Sequence, residues 1–276
     1  MSVYPHRQPT LFLPHGGGPC FFMDWSWGPA DTWKPTERFL AGLATTLPER
    51  PRALLVVSAH WEEAAFTASA GAAPELIYDY SGFPAHTYNL QWPAPGDPEL
   101  AGRTAELLAA AGLPAAVDAH RGFDHGVFVP LKVAFPQAGI PVVALSLAVS
   151  RNGEFDPQLH LDAGRALAPL REEGVLIVAS GMSFHNLRAY HRAETVARAR
   201  AFDGWLSRAV ESPSGAREKL LSDWQSAPDA RFAHPREEHF IPLLVAAGAA
   251  AGAPGRRIFH DEPMGAALSA YRFDSY

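Results

Sequence analysis

Apolar residues come in short runs with two different periods. Thr10–Pro14, Ala53–Ala59, Pro141–Leu147 and Val175–Ser180 are continuous and rich in Val, Ile and Leu. Such runs predict strands, the longer ones buried on both faces. Ala65–Ala70 and Ala115–Asp118 predict two shorter strands, the first a neighbour of Ala53–Ala59. Helical patterns fill the gaps at Thr36–Leu47, Pro98–Ala111, Phe128–Phe135, Asp156–Arg171, Ala193–Val210 and Glu237–Ala249. Phe39, Leu40 and Leu43 share one face of the first, and Pro130 marks the start of the third. The tail from Arg257 predicts one or two edge strands. Strands alternating with helices predict an α/β fold with helices on both faces of the sheet. No repeat or linker divides the chain, so residues 1–276 are expected to form one domain.

The segment from Glu75 to Pro98 breaks the pattern. It carries Tyr78, Tyr80, Phe83, Tyr88 and Trp92 among Gly and Pro. A loop of that length and aromatic content is either a functional lid or an Ω-loop packed by its own rings. The rest of the composition narrows the class of protein. Hydrophobic residues make up 47% of the 276 and charged residues 19%, as expected of a globular chain. The net charge of −6 and the lack of a basic run argue against nucleic acid. One cysteine, Cys20, rules out an internal disulfide framework and a Cys-rich zinc ribbon. With no signal peptide and no apolar run long enough for a membrane span, a soluble cytoplasmic protein is the expectation. The apolar helix Ile241–Ala251 can bury itself internally or in a homo-oligomer.

Twelve histidines stand out, and their placement matters more than their number. His15 follows a strand and precedes Gly16-Gly17-Gly18, where backbone can approach a ligand closely. His60 ends the run LLVVSAHW, with Trp61 beside it as a pocket wall. His185 follows VLIVAS by a short loop, and His239 lies at the start of a helix in HPREEHF. His125 sits in the tight loop RGFDHG. By contrast His6, His120, His160, His191 and His260 read as surface residues. Imidazole is the commonest ligand for zinc and non-haem iron, and sites in α/β sheets gather at the carboxyl ends of strands. The expectation is a mononuclear metal centre. HGGG also builds the oxyanion hole of some esterases, but no G-x-S-x-G elbow accompanies it.

Taken in order, LFLPHGGG, VVSAHW, GFPAHTYNLQWPAPG, GFDHGVFVPLK, IPVVALSL, VASGMSFHNL and HPREEHFIPLL resemble the class III extradiol ring-cleavage dioxygenases of the LigB superfamily, in the DOPA dioxygenase-like branch. The resemblance runs from about Leu11 to Leu244. It implies a central mixed sheet flanked by helices, and Fe(II)-dependent insertion of O₂ into a catechol. Carried over residue by residue, it implies metal ligation by His15, His60 and His239, with Glu238 a rival to His239. His185 is implied as acid/base residue and possible fourth ligand, and His125 as a second catalytic residue. Trp61, Tyr88 and Arg121 are the candidate substrate contacts. Arg121 stands where family members often carry Trp. Zn(II) can occupy the same ligands, and a zinc hydrolase using metal-bound water is the alternative activity.

Overall fold

The computed structural model describes residues 7–275. In chain order the elements are β1 (Thr10–Pro14), α1 (Lys34–Gly42), β2 (Ala53–Glu63), β3 (Phe66–Ser69), α2 (Pro98–Ala110), β4 (Ala115–Asp118), α3 (His125–Ala134), β5 (Val142–Ala148), α4 (Pro157–Leu167), β6 (Val175–Gly181), α5 (Ala193–Glu211), α6 (Ser214–Ser222), α7 (Ala230–Ala233), α8 (Ile241–Ala249), β7 (Gly255–Asp261) and β8 (Leu268–Phe273). The strands form one eight-stranded mixed sheet in the order β4-β3-β5-β2-β6-β1-β8-β7. β5, β2, β6 and β1 run parallel through its centre, and β8 and β7 add antiparallel at one side. This is the expected α/β fold.

The centre of the sheet is buried on both faces, which explains its unbroken apolar strands. Leu55, Val57, Ile177 and Ala179 face one core, shared with α2, α4, α5 and α8. Leu54, Val56, Leu176 and Val178 face the other, shared with α1 and α3. Three helices are started by aspartates. Asp97, Asp124 and Asp156 each accept from a backbone N–H in the first turn, and Pro98 and Pro157 follow two of them.

Several boundaries differ from the pattern's expectation. β3 pairs with β5 and β4 rather than with β2. β2 runs four residues past Ala59, so His60 lies within a strand rather than at its end. α3 begins at His125 because Asp124 caps it, which leaves Pro130 inside the helix. The carbonyl that Pro130 cannot serve, that of Gly126, accepts from the Ser180 hydroxyl instead. α8 begins at Ile241, because residues 237–240 form a turn closed by Phe240 and Ile241 N–H on the Glu237 carbonyl. All of α8 is buried against α4 and the sheet, so its apolar surface is used internally. The segment 75–98 combines both expectations: its tyrosines pack together, yet Tyr80 and Phe83 reach the main cavity.

α4 and α8 cross at very short range. A Cβ on Gly248 would stand 2.1 Å from the Leu161 carbonyl oxygen, and one on Gly164 2.2 Å from that of Val245. His160 of α4, expected at the surface, is fully buried, with its ring against Phe66 and Phe155. Its Nδ1–H donates to the Asp156 carbonyl at 2.7 Å, and its Nε2 accepts from Ala148 N–H at 3.3 Å. Burial lowers its pKa to about 4, only partly opposed by the Asp156 carbonyl.

Two outcomes follow from this packing. Gly248→Ala is expected to lose about 1–3 kcal/mol of stability by overpacking. Gly215→Ala in α6, with open space around its Cβ, is expected to gain up to about 1 kcal/mol. Urea denaturation midpoints of the two variants check the contrast. For His160, the unfolded chain takes up a proton below pH 6.5 while the folded chain stays neutral down to about pH 4. Its contribution is therefore complete above pH 6.5 and lost as pH falls toward 4, about 3 kcal/mol in all. His160→Asn is expected to flatten that part of the stability curve; an unchanged slope between pH 6.5 and 4.5 would contradict the assignment.

Candidate metal centre

β2, β6 and β1 lie side by side and parallel, so their carboxyl ends open on one edge of the sheet. His15 follows β1 directly. Gly16 and Gly18 behind it adopt positive φ, which turns the chain back over the site. His60 reaches the same point by a bulge. Val57 pairs with Leu145 but Glu62 pairs with Leu147, so β2 carries extra residues that re-aim the ring. His239 arrives from the turn before α8, whose carbonyl accepts from Met182 N–H at 3.0 Å. Gly181 permits that approach, since a Cβ there would stand 2.2 Å from the same oxygen.

The three rings meet through Nε2. His60 Nε2 is 3.3 Å from His15 Nε2 and 3.2 Å from His239 Nε2. Their far sides are tied down. His15 Nδ1–H donates to the Gly16 carbonyl at 2.9 Å, and His239 Nδ1–H to Glu238 Oε1 at 2.9 Å. His60 Nδ1 faces Asp79 Oδ2 at 3.5 Å. These partners assign the proton to Nδ1 and leave a lone pair on each Nε2. Burial first, and then the neighbouring imidazoles, hold all three pKa values well below the ordinary histidine value. Three neutral lone pairs crowded together repel unless a cation sits among them. Ligands about 2.1 Å from one ion at 90–110° stand about 3.0–3.4 Å apart, which matches these spacings. The donor set therefore fits a mononuclear metal ion.

Two further groupings of His and carboxylate occur among the described residues: His60, Asp79 and His125, and His185, Glu238 and His239. In both, carboxylate and imidazole face each other as acceptor and donor instead of converging on a third point. His125 Nδ1–H donates to Asp79 Oδ1 at 2.8 Å, and the His125 backbone N–H adds a second bond at 2.9 Å. Burial works against the Asp79 carboxylate, but bonding to His125 outweighs it and lowers the Asp79 pKa. His185 Nδ1 lies 3.3 Å from Glu238 Oε1, and its ring stacks on that of His239 with centroids 3.4 Å apart. Glu238 thus supports two histidines from behind.

A cavity of about 550 Å³ opens in front of the five histidines. Its outer wall comes from the 25–33 segment, the aromatic loop, and the stretch after β6. Trp61, Tyr88 and Arg121 lie outside its lining. Trp61 donates to Glu63, and Tyr88 packs against Tyr80 with the rings tilted at 50°. Arg121 stands over the Trp61 ring at 4.8 Å and pairs with buried Asp124 at 2.8 Å. Asp124 also accepts from Ser58, and burial raises its pKa despite these partners. His191, expected at the surface, is exposed and also lines the cavity. His120 and His260 are exposed as expected, and His6 lies outside the described residues. The sequence reading passed over Asp79, and over Trp25, Trp27 and Trp33. Three tryptophans within nine residues directly after the glycine turn were the available signal.

The fold thus gathers His15, His60 and His239, two of them buried and one partly so, at the carboxyl edge of an α/β sheet, a group of side chains that could hold a metal ion. The family model described as the catalytic LigB subunit of aromatic ring-opening dioxygenase matches residues 9–271, and the chain belongs to this family. It is 40% identical over 277 residues to "Dioxygenase tasH" of Hapsidospora irregularis, covering 95% of this chain and 84% of that one. It is 38% identical over 281 residues to "4,5-DOPA dioxygenase extradiol" of Beta vulgaris, covering the whole of both. A crystal structure of an uncharacterized Escherichia coli K12 protein superposes with a TM-score of 0.76 at 31% identity, over 97% of this chain and 100% of that one. The protein is an extradiol ring-cleaving dioxygenase, acting on a small aromatic molecule and O₂. The hydrolase alternative is not favoured, because the family's chemistry is oxygenative ring opening. Among the described residues no helix is long and apolar enough to cross a membrane.

Arg121 is therefore read as an anchor of the loop before α3. Arg121→Ala is expected to cost about 3 kcal/mol by leaving buried Asp124 without its cation. The order of rates across a set of catechols is expected to stay the same. Denaturation midpoints and relative kcat/KM values check the two halves; a reordered preference would return Arg121 to the substrate site.

Proposed function

We propose that the protein is an Fe(II)-dependent extradiol dioxygenase of a catechol, with His15, His60 and His239 as metal ligands and His185 and His125 as acid/base residues. The observation that carries the ligand assignment is the meeting of three Nε2 atoms, each with its Nδ1 side turned to an oxygen partner. Glu238 is engaged on the Nδ1 side of His239, which favours His239 over Glu238 as the third ligand. Zinc binds such nitrogen sets more tightly than ferrous iron but has no redox chemistry. A ferrous ion in this site supplies reactivity toward O₂ and favours ionisation of the catechol hydroxyls.

The chain's own residues handle the protons. Glu238 behind His185 holds the proton on Nδ1, so Nε2 is the basic nitrogen offered to a substrate hydroxyl. The same carboxylate stabilises the imidazolium formed when that proton is taken. Asp79 does the same for His125, placing a second imidazole on the other side of the site. Face-to-face stacking of His185 on His239 puts it beside the ligand trio, which supports acid/base work over a fourth ligand role. The largely apolar wall of the cavity would displace water from the face of a bound ring. In the net reaction both oxygen atoms enter the substrate. The ring bond beside the diol breaks, leaving an aldehyde at one end and a carboxylic acid at the other.

Oxygen uptake on catechols is expected from protein reconstituted anaerobically with iron, and none from the zinc-loaded form. Equal activity of the two forms would overturn the iron assignment. His185→Ala is expected to keep its metal and lose about 10²–10⁴-fold in kcat. Loss of metal in that variant would make His185 a ligand. His15→Ala and His60→Ala are expected to lose stoichiometric metal, measured by elemental analysis after gel filtration. Full occupancy in either would remove it from the ligand set.

A further inference from the structure

We infer that the cavity selects a catechol bearing an uncharged, apolar substituent, and that it discriminates against catechols carrying an amino-acid side chain. The inference rests on the dioxygenase reading above for the position of the catechol ring, and on the outer wall for the rest.

With the ring's hydroxyls at the histidine cluster, any substituent extends along the outer wall. That wall has the wrong chemistry for a zwitterion. Among the described residues, no Lys, Arg, Asp or Glu lines the cavity. The two carboxylates nearest the centre, Asp79 and Glu238, are both held behind imidazole rings. Ser81, Tyr190 and His191 are polar residues of the outer wall, and none of them carries a fixed charge opposite to an ammonium or a carboxylate. Trp25, Trp33 and Tyr80 present carbon rather than their polar ends. The indole nitrogens of Trp25 and Trp33 are buried in the protein, and the Tyr80 hydroxyl is committed to the Thr87 carbonyl at 2.6 Å. Met182 and Met264 add two polarisable thioethers.

The mouth carries the same signature. Only four large hydrophobic side chains are exposed among the described residues, and two of them, Trp27 at 50% and Leu187 at 68%, sit on the rim of this cavity. Trp27 leans on Phe83 with ring centroids 5.1 Å apart. Apolar surface left open at a pocket mouth marks contact with an apolar ligand. A cavity of about 550 Å³ exceeds what a bare catechol ring fills, so a substituent is accommodated. An ammonium and a carboxylate entering this wall lose hydration without gaining a fixed partner, whereas an alkyl or aryl group gains by burial.

The test compares catechol, 4-propylcatechol, 3,4-dihydroxybiphenyl and L-DOPA on the iron-reconstituted protein, by oxygen uptake and by quenching of tryptophan fluorescence on anaerobic binding. The expected result is a kcat/KM on the order of tenfold or more higher for the two apolar catechols than for L-DOPA, carried mainly by KM, with the same order in the binding constants. Trp27→Ala is expected to narrow that ratio. Leu187→Arg is expected to improve L-DOPA relative to 4-propylcatechol by supplying a partner for its carboxylate. L-DOPA used or bound as well as the apolar catechols would overturn the inference while leaving the dioxygenase reading intact. Tight binding of the apolar catechols with no oxygen uptake on any substrate would overturn the dioxygenase reading and leave the wall's preference standing.

Discussion

Three imidazole lone pairs brought together, that of His60 3.3 Å from His15 and 3.2 Å from His239, are an unfavourable arrangement for a protein without a cation. The rest of the site exists to enforce it. Each ring must be neutral, in one tautomer, and unable to turn away. Burial provides the neutrality. The Gly16 carbonyl, Asp79 and Glu238 provide the tautomers. Three parallel strands ending at one edge provide the rigid base.

The same device appears twice more around the centre, with a different consequence. A carboxylate behind His125 and another behind His185 each face Nδ1 and leave Nε2 of that ring without a carboxylate partner. Glu238 belongs to both systems, since it supports His239 and His185 together. One carboxylate thus links the His15–His60–His239 trio to His185, so the geometry of the two is coupled. Asp79 plays the matching part between His60 and His125. Outside this polar centre the wall turns apolar. The change confines charge to the place where the chemistry needs it, and the low dielectric strengthens each hydrogen bond there.

Much of the architecture was readable from periodicity. The buried central strands β1, β2, β5 and β6 announce themselves by unbroken apolar runs, because both faces of each are covered. The failures cluster around the site. The bulge in β2 depends on pairing with β5, which no local pattern encodes. The start of α3 was placed late because Pro130 looked like an opening residue, whereas Ser180 from a distant strand satisfies the carbonyl that Pro130 leaves open. The local sequence around His160 suggests a surface residue, yet Phe66 of β3, Phe155 and the Ala148 N–H of β5 enclose it in the core.

By itself the sequence determined the α/β class, the family, and the histidines that make the centre, because ordered motifs such as LFLPHGGG and HPREEHF carry them. Those are properties of residue type and local order, which a linear chain displays. Only the tertiary structure decided which ring nitrogens meet, that Asp79 and Glu238 stand behind them, and that Arg121 and Trp61 support one another away from the cavity. It also decided that three tryptophans, two of them packed with their nitrogens inward, make an uncharged wall. The physical reason is common to all of these. Orientation and burial of a side chain are set by neighbours far away along the chain, and contacts of that range leave no period in the sequence.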